Sequence, residues 1–209
     1  KNKGIIINGS GSDINHFKPF PKNKIYKNFQ FLFIGRLLFD KGIREYIEAA
    51  RILKKEHLNI DFNVLGPFAF NNISSVSEKE LDLWVSSKTI NYLGETDDVK
   101  KFLVNADCVA LPSYREGMSK ALIEASLMGL PIVTSDVPGC RDVIEDKVTG
   151  FLCKARNSRD LADKMKRIFL LDKNELIHMK QKARDRGVRL FDDKLVINKY
   201  KKAVDDIFN

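Results

Sequence analysis

The stretch DCVALPSYREGMSKALIEASLMGLPIVTSD, Asp107 to Asp136, decides the fold. Its opening run DCVALPS is short and apolar, which predicts a buried strand. SKALIEASLMG predicts a helix closed by Gly129, and LPIVTSD predicts a second strand. A strand, a helix and a strand in direct succession make a parallel unit, because a parallel pair needs a crossover.

The same alternation extends in both directions. FQFLFIG (Phe29 to Gly35) and IDFNVLG (Ile60 to Gly66) read as strands, and KGIREYIEAARILKKEH between them places Ile43, Tyr46, Ile47, Ala50 and Leu53 on one helical stripe. SEKELDLWVSS predicts a helix with a Ser-x-x-Glu capping box at Ser77 and Glu80. INYLG reads as a short strand, DDVKKFLVNA as a short helix capped by Asp97 or Asp98, GCRDVIED as a short helix and GFLC as a last strand. Helices over 158–171, 174–186 and about 194–207 finish the chain. The expected fold is α/β, a Rossmann-like parallel sheet with helices on both faces. The expected divisions are an irregular leading segment over 1–28, a Rossmann-like domain over 29–190 and a C-terminal helix over 191–209.

The 209 residues are 44% hydrophobic, enough for one large α/β domain or two small ones. No run is long and apolar enough to span a bilayer, and the first residues lack the apolar core of a secretory signal. The sequence begins without methionine, so an excised part of a longer chain is expected. Cys108, Cys140 and Cys153 are odd in number and widely spaced, which suits a cytoplasmic setting and argues against a disulfide framework or a zinc site. Of the net charge of +8, +7 falls from Lys154 onward, where 16 Lys or Arg face 9 Asp or Glu. That segment reads either as solvated helix faces or as a surface for anionic lipid; no aromatic-interleaved basic patch supports nucleic-acid binding. His16, His57 and His178 have no partners at metal or triad spacing. Trp84 reads as an anchor of its amphipathic helix.

Ligands of such sheets bind beyond the carboxyl ends of the strands, so the chemistry is sought in the loops that leave them. In GRLLFDKG, Gly35 allows a tight turn, and Arg36 and Lys41 flank a loop leading into a helix. Two cations there suit anionic oxygens; the plainer alternative is two solvated surface cations. In LPSYREGMSK, the backbone N–H groups of Gly117, Met118 and Ser119 are expected at a helix start, an anion site by construction. Glu116 stands just before that start. Glu124 lies inside the helix among small and apolar residues, as a surface carboxylate or as an acceptor for a ligand's hydroxyls.

The pair Glu116 and Glu124, preceded by LPS, continued as EGMSKALIEASLMGLPIVTSDVPG and joined to the upstream GRLLFDKG, resembles the donor-binding domain of retaining glycosyltransferases with the GT-B fold. NGSGSDINHFKP and DKVTGFL resemble further segments of that family, so the resemblance covers about Ile5 to Leu171. It implies transfer of a sugar from a nucleotide sugar, expected to be a UDP-hexose or UDP-N-acetylhexosamine. Arg36 and Lys41 would hold the diphosphate beside Gly35, and Glu124 the ribose hydroxyls. Glu116 would contact the donor sugar, helped by the N–H groups of Gly117, Met118 and Ser119. The base would lie near Tyr92, Leu93 and Gly94. Glu116, Arg36 and Lys41 are thus the expected catalytic residues.

Two cations and a helix N-terminus could stabilise a departing diphosphate, and the chain contains no Asp-x-Asp; no obligatory metal and no cofactor besides the donor are expected. Ser119 departs from the proline that relatives often carry at the helix start. The resemblance further implies a lipid-linked or surface glycan acceptor, bound through an N-terminal domain outside these residues. The chain alone would then bind donor with little turnover, at the inner face of a bacterial plasma membrane. The competing readings are a nucleotide-sugar epimerase of similar fold and a non-catalytic binding module.

Overall fold

The protein is described by a computed structural model covering residues 9–22, 24, 26–56, 58–69 and 72–208. Asn8, in the leading motif, and His57 lie outside the described residues. Among the described residues six strands form one parallel sheet: β1 (Phe29–Ile34), β2 (Ile60–Leu65), β3 (Asn91–Tyr92), β4 (Cys108–Leu111), β5 (Ile132–Ser135) and β6 (Gly150–Cys153). Their order is β3-β2-β1-β4-β5-β6, so the winding reverses between β1 and β4. Phe31 pairs with Phe62 across β1 and β2, and their rings stack 6.0 Å apart. Phe31 also aligns with Cys108 on β4.

The helices are α1 (Ile43–Lys55), α2 (Glu78–Ser86), α3 (Lys100–Leu103), α4 (Lys120–Leu127), α5 (Ser158–Leu170), α6 (Lys173–Phe191) and α7 (Asp193–Phe208). α1 packs against α5, and α4 against α6. Right-handed crossovers that step outward in opposite directions from β1 and β4 put α1 and α4 on opposite faces. The expected stripe of α1 is buried to the last residue, and Tyr46 at its centre donates its hydroxyl to Phe31 O and Asn63 O. The capping box of Ser77 and Glu80 forms as expected. Trp84 is buried in the core, as are Cys108 and Cys153.

Three expectations are corrected. Neither Asp97 nor Asp98 caps α3; Val99 occupies the N-cap with no side-chain bond, and Asp98 instead donates its N–H to Thr96 Oγ1. GCRDVIED forms turns and no helix: Arg141 N–H goes to Val137 O and Val143 N–H to Cys140 O, and these bonds do not continue as a helical ladder. The helix expected over 174–186 starts at Lys173, with a capping box of Asp172 and Glu175, and runs to Phe191. Gly187 does not end it: a Cβ there would lie 2.8 Å from Ser126 Oγ, so glycine lets α6 pack tightly on α4.

The described part of the leading segment is tied to the helices and the sheet. Ser12 bonds the junction of α6 and α7, donating to Phe191 O and accepting from Asp193 N–H. The Arg184 guanidinium donates to Ile14 O, Phe17 O and Leu127 O, and Lys22 pairs with Asp107 at 2.7 Å.

Candidate functional site

β1 and β4 are neighbours whose connections leave in opposite directions, so their carboxyl ends open a crevice at the switch point. After β1, Gly35 continues the ladder to Leu65 O, and Leu37 and Leu38 then turn into the core, leaving Arg36 exposed. A 3-10 turn over Phe39–Lys41 ends at Gly42, which sits at φ +75°. A Cβ on Gly42 would lie 2.1 Å from Pro112 O, so the loop after β1 presses directly on the loop after β4. Asp40 O accepts from Tyr114 N–H at 2.8 Å and from the Ser113 hydroxyl at 3.1 Å. The Tyr114 hydroxyl donates to Glu45 Oε1 at 2.7 Å, and burial together with that carboxylate pushes its pKa up to about 12.

These contacts bring Lys41 and Glu116 face to face. Lys41 Nζ lies 2.6 Å from Glu116 Oε1, with the side chains 20% and 11% exposed. Both were expected to be ready for a ligand, one as a cation for phosphate and the other as an acceptor for sugar hydroxyls. Each instead meets its charge in the other. The Arg36 side chain, among the described residues, makes no hydrogen bond or ion pair, while its carbonyl accepts from Leu38 N–H. Gly35, Arg36, Lys41, Glu116, Met118 and Ser119 line one cavity of about 240 Å³ together with Lys120. Lys120 was missed in the sequence; the available signal was its i, i+4 spacing to Glu124.

The helix starts slightly later than expected, at Lys120, so the N–H groups of Gly117 and Met118 precede it. Ser119 is the N-cap of α4 and makes no side-chain bond, so the first N–H groups have no side-chain cap beside the cavity. Gly117 precedes it in open space, with no atom within 4 Å of where a Cβ would stand. Glu124 is only 6% exposed and lies one turn beyond the residues lining the cavity. Burial pushes its carboxyl up to about 6, against the pull of Lys120, whose Nζ is 3.8 Å from Oε1.

Tyr92, Leu93 and Gly94 lie at the same edge of the sheet but do not line this cavity. Tyr92 donates its hydroxyl to Gly66 O, and Gly94 O accepts from Gly66 N–H. Gly66 in turn sits against Gly35, where a Cβ would lie 1.9 Å from Gly35 O. Leu93 is likewise engaged within the sheet. Its N–H is already given to Val64 O, and the residue lines a different cavity with Gln30, Asn63 and Asn91. Arg141 is folded back onto Asp136, at 3.0 Å, and does not line the cavity. Cys140 is buried near Glu116 and Lys41, and its thiol is pushed up to about 11, which keeps it unreactive. His16 and His178 are exposed. Among the described residues, no group of three or more His, Cys, Asp or Glu could hold a metal ion.

The sequence profile for glycosyl transferases group 1 matches residues 15–186. The chain is 29% identical to the N,N'-diacetylbacillosaminyl-diphospho-undecaprenol alpha-1,3-N-acetylgalactosaminyltransferase of Campylobacter jejuni, over 99% of this chain and 55% of that protein. It superposes on Anabaena HepE, solved in complex with UDP, with a TM-score of 0.82 at 23% identity, over 94% of this chain and 56% of HepE. The C-terminal domain of a Francisella tularensis group 1 glycosyl transferase is matched over 97% of its length and 86% of this chain, with a TM-score of 0.72 at 22% identity. The chain spans about half the length of the Campylobacter enzyme and of HepE.

Proposed function

This chain belongs to the glycosyl transferases group 1, and on that premise we propose that it is the donor-binding domain of a retaining glycosyltransferase that takes a UDP-sugar. One observation carries the reading: Arg36, Lys41, Glu116 and the start of α4 converge on one cavity at the β1/β4 switch point. Arg36 and Lys41 hold the diphosphate, and the uncapped N–H groups of α4 add a fixed positive end. Glu116 receives the sugar hydroxyls, and Glu124 receives the ribose hydroxyls. Charge building on the leaving diphosphate meets cations already in place, so the transfer needs no metal ion.

The acceptor in this reading is a lipid-linked glycan, held by sequence outside these 209 residues, in keeping with relatives about twice as long. Calorimetric titration of UDP, UDP-glucose and UDP-N-acetylgalactosamine in EDTA tests the donor assignment. Arg36→Ala should weaken binding of all three about tenfold or more, which is ~1.4 kcal/mol, with an unchanged melting temperature. Absence of binding to the wild-type chain at millimolar ligand refutes the assignment.

We also propose that the enzyme works against an anionic membrane surface, at the inner face of the plasma membrane. Among the described residues no helix is long and apolar enough to cross a membrane. Support for a peripheral contact comes from Phe20, 44% exposed, with Lys18 and Lys100 ammonium groups 5.4 and 4.6 Å from its ring centre. An exposed ring between two cations suits the boundary between headgroups and acyl chains. The chain should sediment with phosphatidylglycerol vesicles and not with phosphatidylcholine vesicles, and Phe20→Asp should abolish this. Equal sedimentation of the two proteins would refute it.

A further inference from the structure

The Lys41–Glu116 contact joins two side chains assigned to different parts of one ligand. It is short, at 2.6 Å, and mostly withdrawn from water. The pair is also held in place from behind. Gly42 against Pro112 and Asp40 O against Ser113 and Tyr114 fix the two loops together. On the other side, Gly139 packs so closely on the backbone of Glu116 and Gly117 that a Cβ would stand 2.4 Å from either carbonyl oxygen. Ser113 Oγ donates to Arg115 O immediately before the acid. Neither carboxylate nor ammonium can withdraw by moving its loop, so a ligand that needs Lys41 must take it from Glu116.

We infer that Glu116 is the resting counter-ion of Lys41, and that this pairing makes the site prefer an intact sugar nucleotide over the nucleoside diphosphate that remains after transfer. The inference rests on the donor reading above. A free nucleoside diphosphate draws Lys41 away and leaves Glu116 unpaired in a confined place, facing a terminal phosphate of like charge. In the intact donor that phosphate is an ester with less negative charge. Its sugar hydroxyls also donate hydrogen bonds to the Glu116 carboxylate as Lys41 turns to the diphosphate. One carboxylate therefore exchanges an internal cation for ligand hydroxyls in the donor complex, and receives nothing in the product complex. Product release is favoured by the same residue that grips the substrate.

The test compares calorimetric affinities of the 209-residue chain for UDP and for UDP-glucose or UDP-N-acetylgalactosamine. Glu116→Gln should bind UDP about tenfold more tightly than wild type while binding the sugar nucleotides no better, so that the preference between them collapses. A second arm uses Lys41→Met and the double variant Lys41→Met/Glu116→Gln, which loses both charges together. The double variant should bind UDP more tightly than Lys41→Met alone, a comparison that stays readable if Glu116→Gln lowers the melting temperature. Equal shifts for UDP and sugar nucleotides in Glu116→Gln, or a double variant no better than Lys41→Met, would overturn the counter-ion role and leave the donor site standing. No binding of either ligand to wild type would instead remove the donor reading on which the inference rests.

Discussion

Glu124→Gln should make this protein more stable and a poorer binder at neutral pH. The carboxyl is 6% exposed, and burial raises it from its ordinary value of 4.5 to about 6. A raised carboxyl binds its proton more tightly in the folded chain than in the unfolded one. Below pH 4.5 both states are protonated and the group costs nothing. As pH climbs from 4.5 through 6 the folded state must give up a proton it holds more tightly, and stability falls. At pH 7.5 the full cost is present, about 2 kcal/mol at roughly 1.4 kcal/mol for each tenfold change in proton affinity. The Lys120 ammonium, 3.8 Å away, is already counted in that balance because it opposes the rise. A neutral isostere removes the ionisation cost, so urea denaturation at pH 7.5 should show Glu124→Gln more stable by up to about 2 kcal/mol. For a domain of this length that corresponds to a melting temperature higher by about 4–8 °C. At pH 4 the two proteins should unfold alike. The same variant should lose affinity for UDP, since a carboxamide offers one acceptor oxygen to a diol where a carboxylate offers two. A Gln variant destabilised equally at pH 4 and 7.5 would refute the burial argument, and unchanged UDP affinity would refute the ribose role.

Two further outcomes follow from the loop contacts. Gly42→Ala places a Cβ 2.1 Å from Pro112 O at a backbone φ of +75°, so it should destabilise the fold by about 3 kcal/mol or more and abolish UDP binding, as read by thermal unfolding and titration. Tyr114→Phe removes the 2.7 Å donor to Glu45, whose other oxygen is already buried without a partner, and should cost about 1–3 kcal/mol in urea denaturation. An unchanged denaturation midpoint would show that water replaces the hydroxyl.

The sheet was legible because each strand is a short apolar run ended by a turn signal, and because α1, α2 and α4 carry local stripes or caps. α3 was legible as a helix but not at its start, since its four residues are held by neighbours and not by an aspartate cap. The GCRDVIED segment misled because its composition suits a helix, whereas its backbone forms separate turns, Cys140 N–H to Val137 O and Val143 N–H to Cys140 O. The site divides the same way. Arg36, Lys41, Glu116 and Ser119 could be singled out as neighbours of one cavity because strand ends and helix starts have local signatures. That Lys41 and Glu116 neutralise each other depends on the Gly42–Pro112 contact across 70 positions of sequence, which no local pattern encodes. The place of Lys120 in the cavity lining is likewise a product of packing.

The junction at Asp40 has a consequence for how the proposed site can vary. One carbonyl receives both Tyr114 and Ser113, so the loops carrying Lys41 and Glu116 behave as a single jaw. Lengthening either loop by even one residue would unseat the other, which closes off the usual route of altering specificity by insertion. Variation is steered instead to the unattached Arg36 side chain and to the open backbone at Gly117. On the proposed donor reading, a designer seeking a new sugar should exchange side chains on the jaw and keep both loops at full length.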